Sequence, residues 1–255
     1  MRTNYNSKEK SNNKLNLFLI LFCALMSFTG FSQDDNNKST SSNWNLGASV
    51  QSRYIWRGIN LGGNSASIQP SIEYSTGIFT IGAWGAYSIG SDQVGQEADL
   101  YITIAPLDFL SFTVTDYFFP VERTGRQGYF EYGDRTGHVF EAMASFSSNN
   151  FPIGFMIATN FVGADKKENG NQSFSTYIEA SYGVSAGFVD INLFVGAVLG
   201  DDGGYYGTDG SGLINLGLGV SKAIKITESW SLPVDAALVY NPDAENIFIT
   251  FGITI

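Results

Sequence analysis

One cysteine and one histidine among 255 residues leave little material for thiol, metal or Ser-His chemistry. The cysteine, Cys23, falls in an N-terminal leader, so the chain expected after leader removal has no disulfide and no thiol nucleophile. The histidine, His138, would have to serve any Ser-His mechanism. It stands in Thr136-Gly137-His138-Val139-Phe140, which reads as a loop–strand junction. Charge is scarce as well, at 15% of residues, where a soluble domain carries about 25%. Bases are the scarcer sign, 14 against 24 acids, which argues against a nucleic-acid partner. Beyond the leader no helical repeat is sustained, and no stretch reaches the ~20 apolar residues of a spanning helix.

What the chain does have is glycine (29 residues), aromatics (15%) and alternation, with a mean hydropathy near zero. At the start, Arg2, Lys8, Lys10 and Lys14 precede the apolar stretch from Leu15 to Met26. Gly30-Phe31-Ser32 then supplies small residues for a signal peptidase. Residues 1–32 are therefore expected to be a cleaved signal peptide, with Gln33 as the mature start. Ile20-Leu21-Phe22 before Cys23 lacks the small residues of a lipoprotein cleavage site. The signal takes four of the 14 bases and one of the 24 acids, Glu9, which leaves 10 bases against 23 acids. Residues 33–42 are polar and without period, and read as a disordered tail.

From residue 43 to 255 the period is two. Trp44, Leu46, Ala48, Val50, Tyr54 and Trp56 share one face, and Asn45, Ser49, Gln51, Arg53 and Arg57 the other. The same division recurs in eleven further sets. Examples are Ile68 to Tyr74 against Glu73, Leu100 to Ile104 against Asp99, Val189 to Leu199 against Asp190, and Ile214 to Val220 against Asn215. The connections alternate too. Residues 75–77, 106–109, 147–151, 183–187 and 223–229 are short, and 119–137, 162–173 and 200–212 are long, rich in Gly and charge. Twelve amphipathic strands with aromatics near their ends predict an all-β fold: a closed antiparallel transmembrane β-barrel over 43–255, both termini periplasmic, in the bacterial outer membrane. Closure follows because lipid cannot hydrogen-bond a free sheet edge. The competing fold, a soluble β-sandwich, buries its apolar face between sheets and needs no aromatic bands. Two residues stand off the pattern: Asp116 on lipid-facing parity and Trp84 on lumen parity.

Tyr54-Ile55-Trp56-Arg57-Gly58-Ile59 resembles the Tyr-x-aromatic-Arg-Gly element of the TorF-type porins, small bacterial outer-membrane proteins of largely uncharacterised function. The resemblance continues through Gln69-Pro70, Gly77, Gly82, Trp84, Glu97-x-Asp99-x-Tyr101 and Tyr117-Phe118-Phe119-Pro120. It covers the first half of the mature chain. It implies an outer-membrane barrel and a pore, and supplies no catalytic residue.

By parity the lumen holds Glu73, Glu97, Asp99, Glu141, Glu179, Asp190 and Asp235 against Arg53 and Arg57, and these nine are the pore-lining candidates. Acidic rings favour cations, so the first expectation is a narrow channel for small cationic or neutral solutes. Arg53 and Arg57 are expected to pair with Glu73, and Trp84, Tyr101, Met156, Tyr177 and Phe194 to narrow the bore. The alternatives are a non-conducting structural or surface-binding barrel acting through its loops and, last, a lipid-modifying enzyme. No cofactor and no catalytic residue is expected. Asp201, Asp202 and Asp209 form a weak calcium-loop candidate. The expected partners are outer-membrane lipid, the barrel-assembly machinery and small solutes. A charge at lipid-facing Leu216 is expected to destabilise, with Asn215 and Gly217 tolerant of change.

Overall fold

The computed structural model describes residues 43–90, 95–120, 128–132, 136–148 and 151–255. The proposed signal peptide and polar tail lie outside them. Among the described residues there are fourteen strands: β1 (Trp44–Gln51), β2 (Ile55–Trp56), β3 (Ile59–Asn60), β4 (Ser67–Thr76), β5 (Phe79–Ser88), β6 (Glu97–Leu107), β7 (Leu110–Phe118), β8 (His138–Ser148), β9 (Phe151–Gly163), β10 (Thr176–Ser185), β11 (Asp190–Asp201), β12 (Gly210–Lys225), β13 (Ser231–Asn241) and β14 (Asn246–Thr254). Twelve of them form a closed antiparallel barrel, each paired with its chain neighbour, and β1 closes on β14 through Ser49↔Thr254 to Gln51↔Gly252. β2 and β3 form a separate two-stranded sheet.

Each barrel strand matches one period-two set of the sequence. Leu46, Ile81, Ile102, Val114, Leu193, Leu238 and Ile249 stand exposed on the outer face. The inner face carries the acids, amides and hydroxyls. Such an exposed apolar belt is what a membrane-spanning barrel presents to lipid. Aromatics band both rims: Trp44, Phe109, Phe151, Tyr182 and Trp230 at the end with the short turns, Tyr87, Phe161, Phe174 and Tyr240 at the other. Both ends of the barrel sequence lie at the turn end. The long connections gather at the opposite end.

Three features depart from the sequence reading. First, β1 stops at Gln51 instead of running through Arg57. Tyr54 and Trp56 are not lipid-facing; they are buried inside the barrel at 6% and 9% exposure. Second, Gly196 pairs with Asn215 while Ala197 pairs with Leu213, so Ile214 is an extra residue. This bulge turns Ile214 inward, where it is fully buried, and puts Leu213 on the outer face. Third, Asp116 does lie on outer parity, but residues 128–132 cover it. Its carboxylate accepts from His138 Nδ1 at 2.7 Å and from the Tyr129 hydroxyl at 3.1 Å.

Candidate functional site

The connection between β1 and β4 turns back into the barrel. Its centre is a hairpin in which Ile55 pairs with Asn60 and Trp56 with Ile59, leaving Arg57-Gly58 as a two-residue loop. Both loop residues have positive φ, +49° and +77°. That is the signature of a type I′ turn, whose twist suits a tight hairpin. Glycine takes this conformation freely, while arginine is strained there by about 1–3 kcal/mol and stays only where its surroundings hold it.

The surroundings do hold it. The Arg57 guanidinium makes a two-pronged ion pair with Glu141 on β8, Nη1 to Oε2 at 2.5 Å and Nη2 to Oε1 at 2.9 Å. Nη1 also donates to the Tyr206 hydroxyl at 2.6 Å. The guanidinium lies 4.5 Å from the Trp56 ring centre and 4.6 Å from that of Tyr177. The paired side chains are 3% and 1% exposed, so water does not screen them. Gly58 seats the tip on the opposite wall. Its carbonyl accepts from Asn241 Nδ2 of β13 at 3.2 Å. A Cβ at Gly58 would stand 1.9 Å from the carbonyl oxygen of Ile214, the bulged residue of β12. The stem is tied to a third wall, where the Tyr54 hydroxyl donates to Glu97 on β6 at 2.8 Å.

Aromatic packing fills the space between these ties. Trp56 stacks on Tyr206 at 5.5 Å, and Tyr206 stacks on Tyr177 at 6.0 Å. Tyr117, Met156, Val139, Val198 and Ile214 complete a buried cluster drawn from both loops and from β5 and β7 to β12. At the level of this hairpin these side chains pack into the barrel interior.

Tyr206 is itself held by the β11–β12 loop. Asp201, 1% exposed, accepts from the backbone N–H groups of Tyr205, Tyr206 and Thr208 at 2.7, 2.9 and 3.2 Å, and from the Thr208 hydroxyl at 3.1 Å. Asp201, Asp202 and Asp209, the weak calcium-loop candidates, are not brought together at one point among the described residues. The Asp201 carboxylate is spent on loop amides. Asp202 is exposed and bonds to Lys167 at 2.7 Å, and among the described residues no three such side chains converge on a metal position. Across from Asp201, burial pushes the Asp165 carboxyl upward, opposed by the N–H and hydroxyl of Ser175. Asp201→Ala should lower stability by about 1–3 kcal/mol, because three buried N–H groups lose their acceptor. Asp202→Ala should change little, as its pair is exposed. Urea unfolding in lipid vesicles compares the two, and equal effects would remove the anchoring role from Asp201.

Below the hairpin, toward the turn end, lies a chamber of about 450 Å³. Arg53, Tyr54, Trp56 and Arg57 roof it. Its wall carries five of the nine charged residues singled out by parity: Glu73, Asp99, Glu179, Asp190 and Asp235. Glu97 and Glu141 also point inward, but they are sealed in the hairpin cluster and do not line the chamber. The expected pairing of both arginines with Glu73 is corrected as well. Arg57 takes Glu141, and Glu73 accepts from the Tyr101 hydroxyl at 2.6 Å and Asn45 Nδ2 at 3.3 Å. Trp84, Tyr101 and Phe194 line the chamber, whereas Tyr177 and Met156 belong to the sealed layer, Met156 at its lower surface.

His138 is fully buried at the start of β8. Its Nδ1 faces Asp116 and its Nε2 the carbonyl of Tyr129 at 2.5 Å, with the rings of Phe118 and Tyr132 packed against it. Neither ring nitrogen bonds to a hydroxyl among the described residues, and the arrangement fastens residues 128–132 to the barrel's outside. Sequence reasoning missed the hairpin altogether. The available signals were the Arg-Gly dipeptide and the 15 residues, 52–66, between β1 and β4.

No family model matches the chain, and no curated protein matches it in sequence. Among solved structures it is similar to a chain determined in work on the in-meso crystallisation of membrane proteins. The two share 9% identity over 82% of this chain and 81% of that one, with a TM-score of 0.47. It is also similar to Wzi of Escherichia coli, an outer-membrane protein involved in group 1 capsule assembly and described as a carbohydrate-binding β-barrel. There the identity is 8% over 83% of this chain and 55% of that one, with a TM-score of 0.33.

Proposed function

We propose that this protein is a bacterial outer-membrane barrel that is closed at rest and works by binding a small polar solute in its turn-end chamber. One observation carries the reading: the buried Arg57–Glu141 pair at the tip of a hairpin that crosses the bore. An aqueous porin needs a continuous polar path, and the stacked rings of Trp56, Tyr206 and Tyr177 beside the hairpin tip support the closed reading. On this reading the turn end faces the periplasm, following the habit of short periplasmic turns and long external loops. The protein then acts by binding and not by catalysis.

A second reading, a channel that opens when the hairpin withdraws, has its own support. β2 and β3 pair only with each other, so withdrawal breaks no barrel ladder. Kinship with the TorF-type porins belongs to this part of the proposal. Tyr54, Trp56, Arg57, Gly58, Glu97 and Tyr117, which carry that resemblance, meet in the hairpin and its seat. In the open state the acidic wall would favour cations.

Single-channel recording of refolded protein in planar bilayers tests the proposal. The wild type should be silent, and a variant with residues 54–61 replaced by a Gly-Ser linker should show conductance steps. Steady wild-type conductance would overturn the closed reading.

A further inference from the structure

The chamber's lining carries five carboxyl groups against two arginines. Four of its five carboxylates accept hydrogen bonds from neutral groups: Glu73 from Tyr101 and Asn45, Glu179 from Tyr177 and Asn215, Asp190 from Ser185, and Asp235 from Gln51. The fifth, Asp99, is 6% exposed; its carboxyl bonds to the Phe118 backbone and the Glu97 side chain, while its Oδ1 has no hydrogen-bond partner among the described residues. Of the two lining bases, Arg57 is committed to Glu141. Arg53 has no ion pair among the described residues and can offset one acid at most. A buried carboxylate oxygen without a partner is costly, and acids inside a membrane barrel call for a counter-charge.

The geometry also selects the kind of cation. A bare metal ion needs several ligands at one point, and the described residues offer no such group. The acids are spread instead. Glu73 and Asp99 stand on β4 and β6, while Glu179, Asp190 and Asp235 stand on β10, β11 and β13; Asp99 and Asp235 are five strands apart around the twelve-stranded wall, as are Glu73 and Asp190. Between them the faces of Trp84, Tyr101 and Phe194 offer apolar and cation–π contact. The chamber volume, about 450 Å³, falls within the ~300–1,000 Å³ of small-molecule pockets. We propose that the chamber binds small organic cations with two or more ammonium groups spaced along an apolar chain, one end held at Asp99 and Glu73 and the other at Asp235 and Asp190. The chain between them lies along the aromatic side chains. This assignment rests on the binding function proposed above and names its ligand class.

Calorimetric titration of the full refolded chain in neutral detergent micelles, where both barrel ends are accessible, tests the site. Spermidine is the probe, with magnesium and maltotriose as comparisons, all at physiological ionic strength. Spermidine should bind saturably at one site. Asp99→Asn and Asp235→Asn should each weaken it about tenfold or more, while Asp243→Asn, on an exposed loop, should leave it unchanged. Two aspartates on opposite walls are used so that a packing defect at Asp99 alone cannot produce the pattern, and heat-modifiable migration on gels checks that each variant is folded. Absence of saturable binding, an equal loss with Asp243→Asn, or displacement by equimolar magnesium would overturn the proposal. Preference for maltotriose would replace the cation by a neutral sugar. Bilayer recording separates this outcome from the closed reading. A silent barrel that ignores spermidine removes the cation alone, and a conducting barrel that binds it removes the closure alone.

Discussion

Arg57→Ala is expected to destabilise the barrel by about 3–5 kcal/mol and to unseat the hairpin from the bore. The size follows from what remains behind. Glu141 is 1% exposed and takes both prongs of the guanidinium. Removing the arginine leaves a buried carboxylate with only the Tyr117 hydroxyl, at 3.1 Å, and strands the Tyr206 hydroxyl. Solvent screening gives no discount at that burial. The pair itself need not be strongly stabilising, since desolvating two charges offsets much of their attraction. That distinction is testable. Arg57→Met combined with Glu141→Gln removes both charges, keeps an acceptor for Tyr117, and should recover more than half of the loss. Arg57→Lys should not recover it, because an ammonium cannot bridge both carboxylate oxygens in the plane of the stacked rings. Urea refolding in lipid vesicles reads the stability, and bilayer recording reads the bore. An Arg57→Ala protein as stable and as silent as the wild type would show that aromatic packing alone closes the barrel.

The barrel was legible in the sequence because its physics repeats along the whole chain. Every strand divides lipid from lumen, so each carries the same two-residue period, and each inward acid was placed on the correct face. The hairpin was not legible for the same reason. A hairpin strand has the same period as a barrel strand, so Trp44 to Trp56 reads as one continuous face, although the chain turns at Ser52-Arg53 and Tyr54 enters the core. Nothing local tells lipid from the interior as the apolar surroundings of an aromatic ring. The bulge at Ile214 was invisible because one inserted residue shifts parity without changing composition. Asp116 did stand out, as an acid on the lipid face. Its resolution lay in residues 128–132, a segment whose packing depends on His138 and on contacts distant in sequence.

The structure also moves the place where a lipid-facing charge should hurt most. Leu216 pairs with Tyr240, part of the aromatic band at the loop end, so it lies near an interface. Leu218 pairs with Leu193 and Leu238, both exposed and between the two bands, which puts it close to the middle of the belt. Leu218→Arg should therefore cost about 2–4 kcal/mol in vesicles, and Leu216→Arg about 1 kcal/mol or less, because the penalty depends on depth. The inner face is not uniformly tolerant, contrary to the parity reading. Asn215 is 3% exposed and donates to Tyr177 and Glu179, both at 2.9 Å, so its truncation leaves buried acceptors short of a donor. Gly217 makes room for a ring: a Cβ there would stand 2.1 Å from Phe194 Cζ and 2.7 Å from the Leu238 carbonyl oxygen. Gly217→Val should cost about 1–3 kcal/mol by overpacking. Gly219, where the nearest atom to an added Cβ is 3.9 Å away, should accept serine with little change. The informative comparison is therefore the order Leu218→Arg, then Gly217→Val, then Gly219→Ser in one refolding titration. If Gly219→Ser proved as damaging as Gly217→Val, the filled layer would extend into the chamber; if Leu218→Arg proved harmless, the outer belt would not be in lipid.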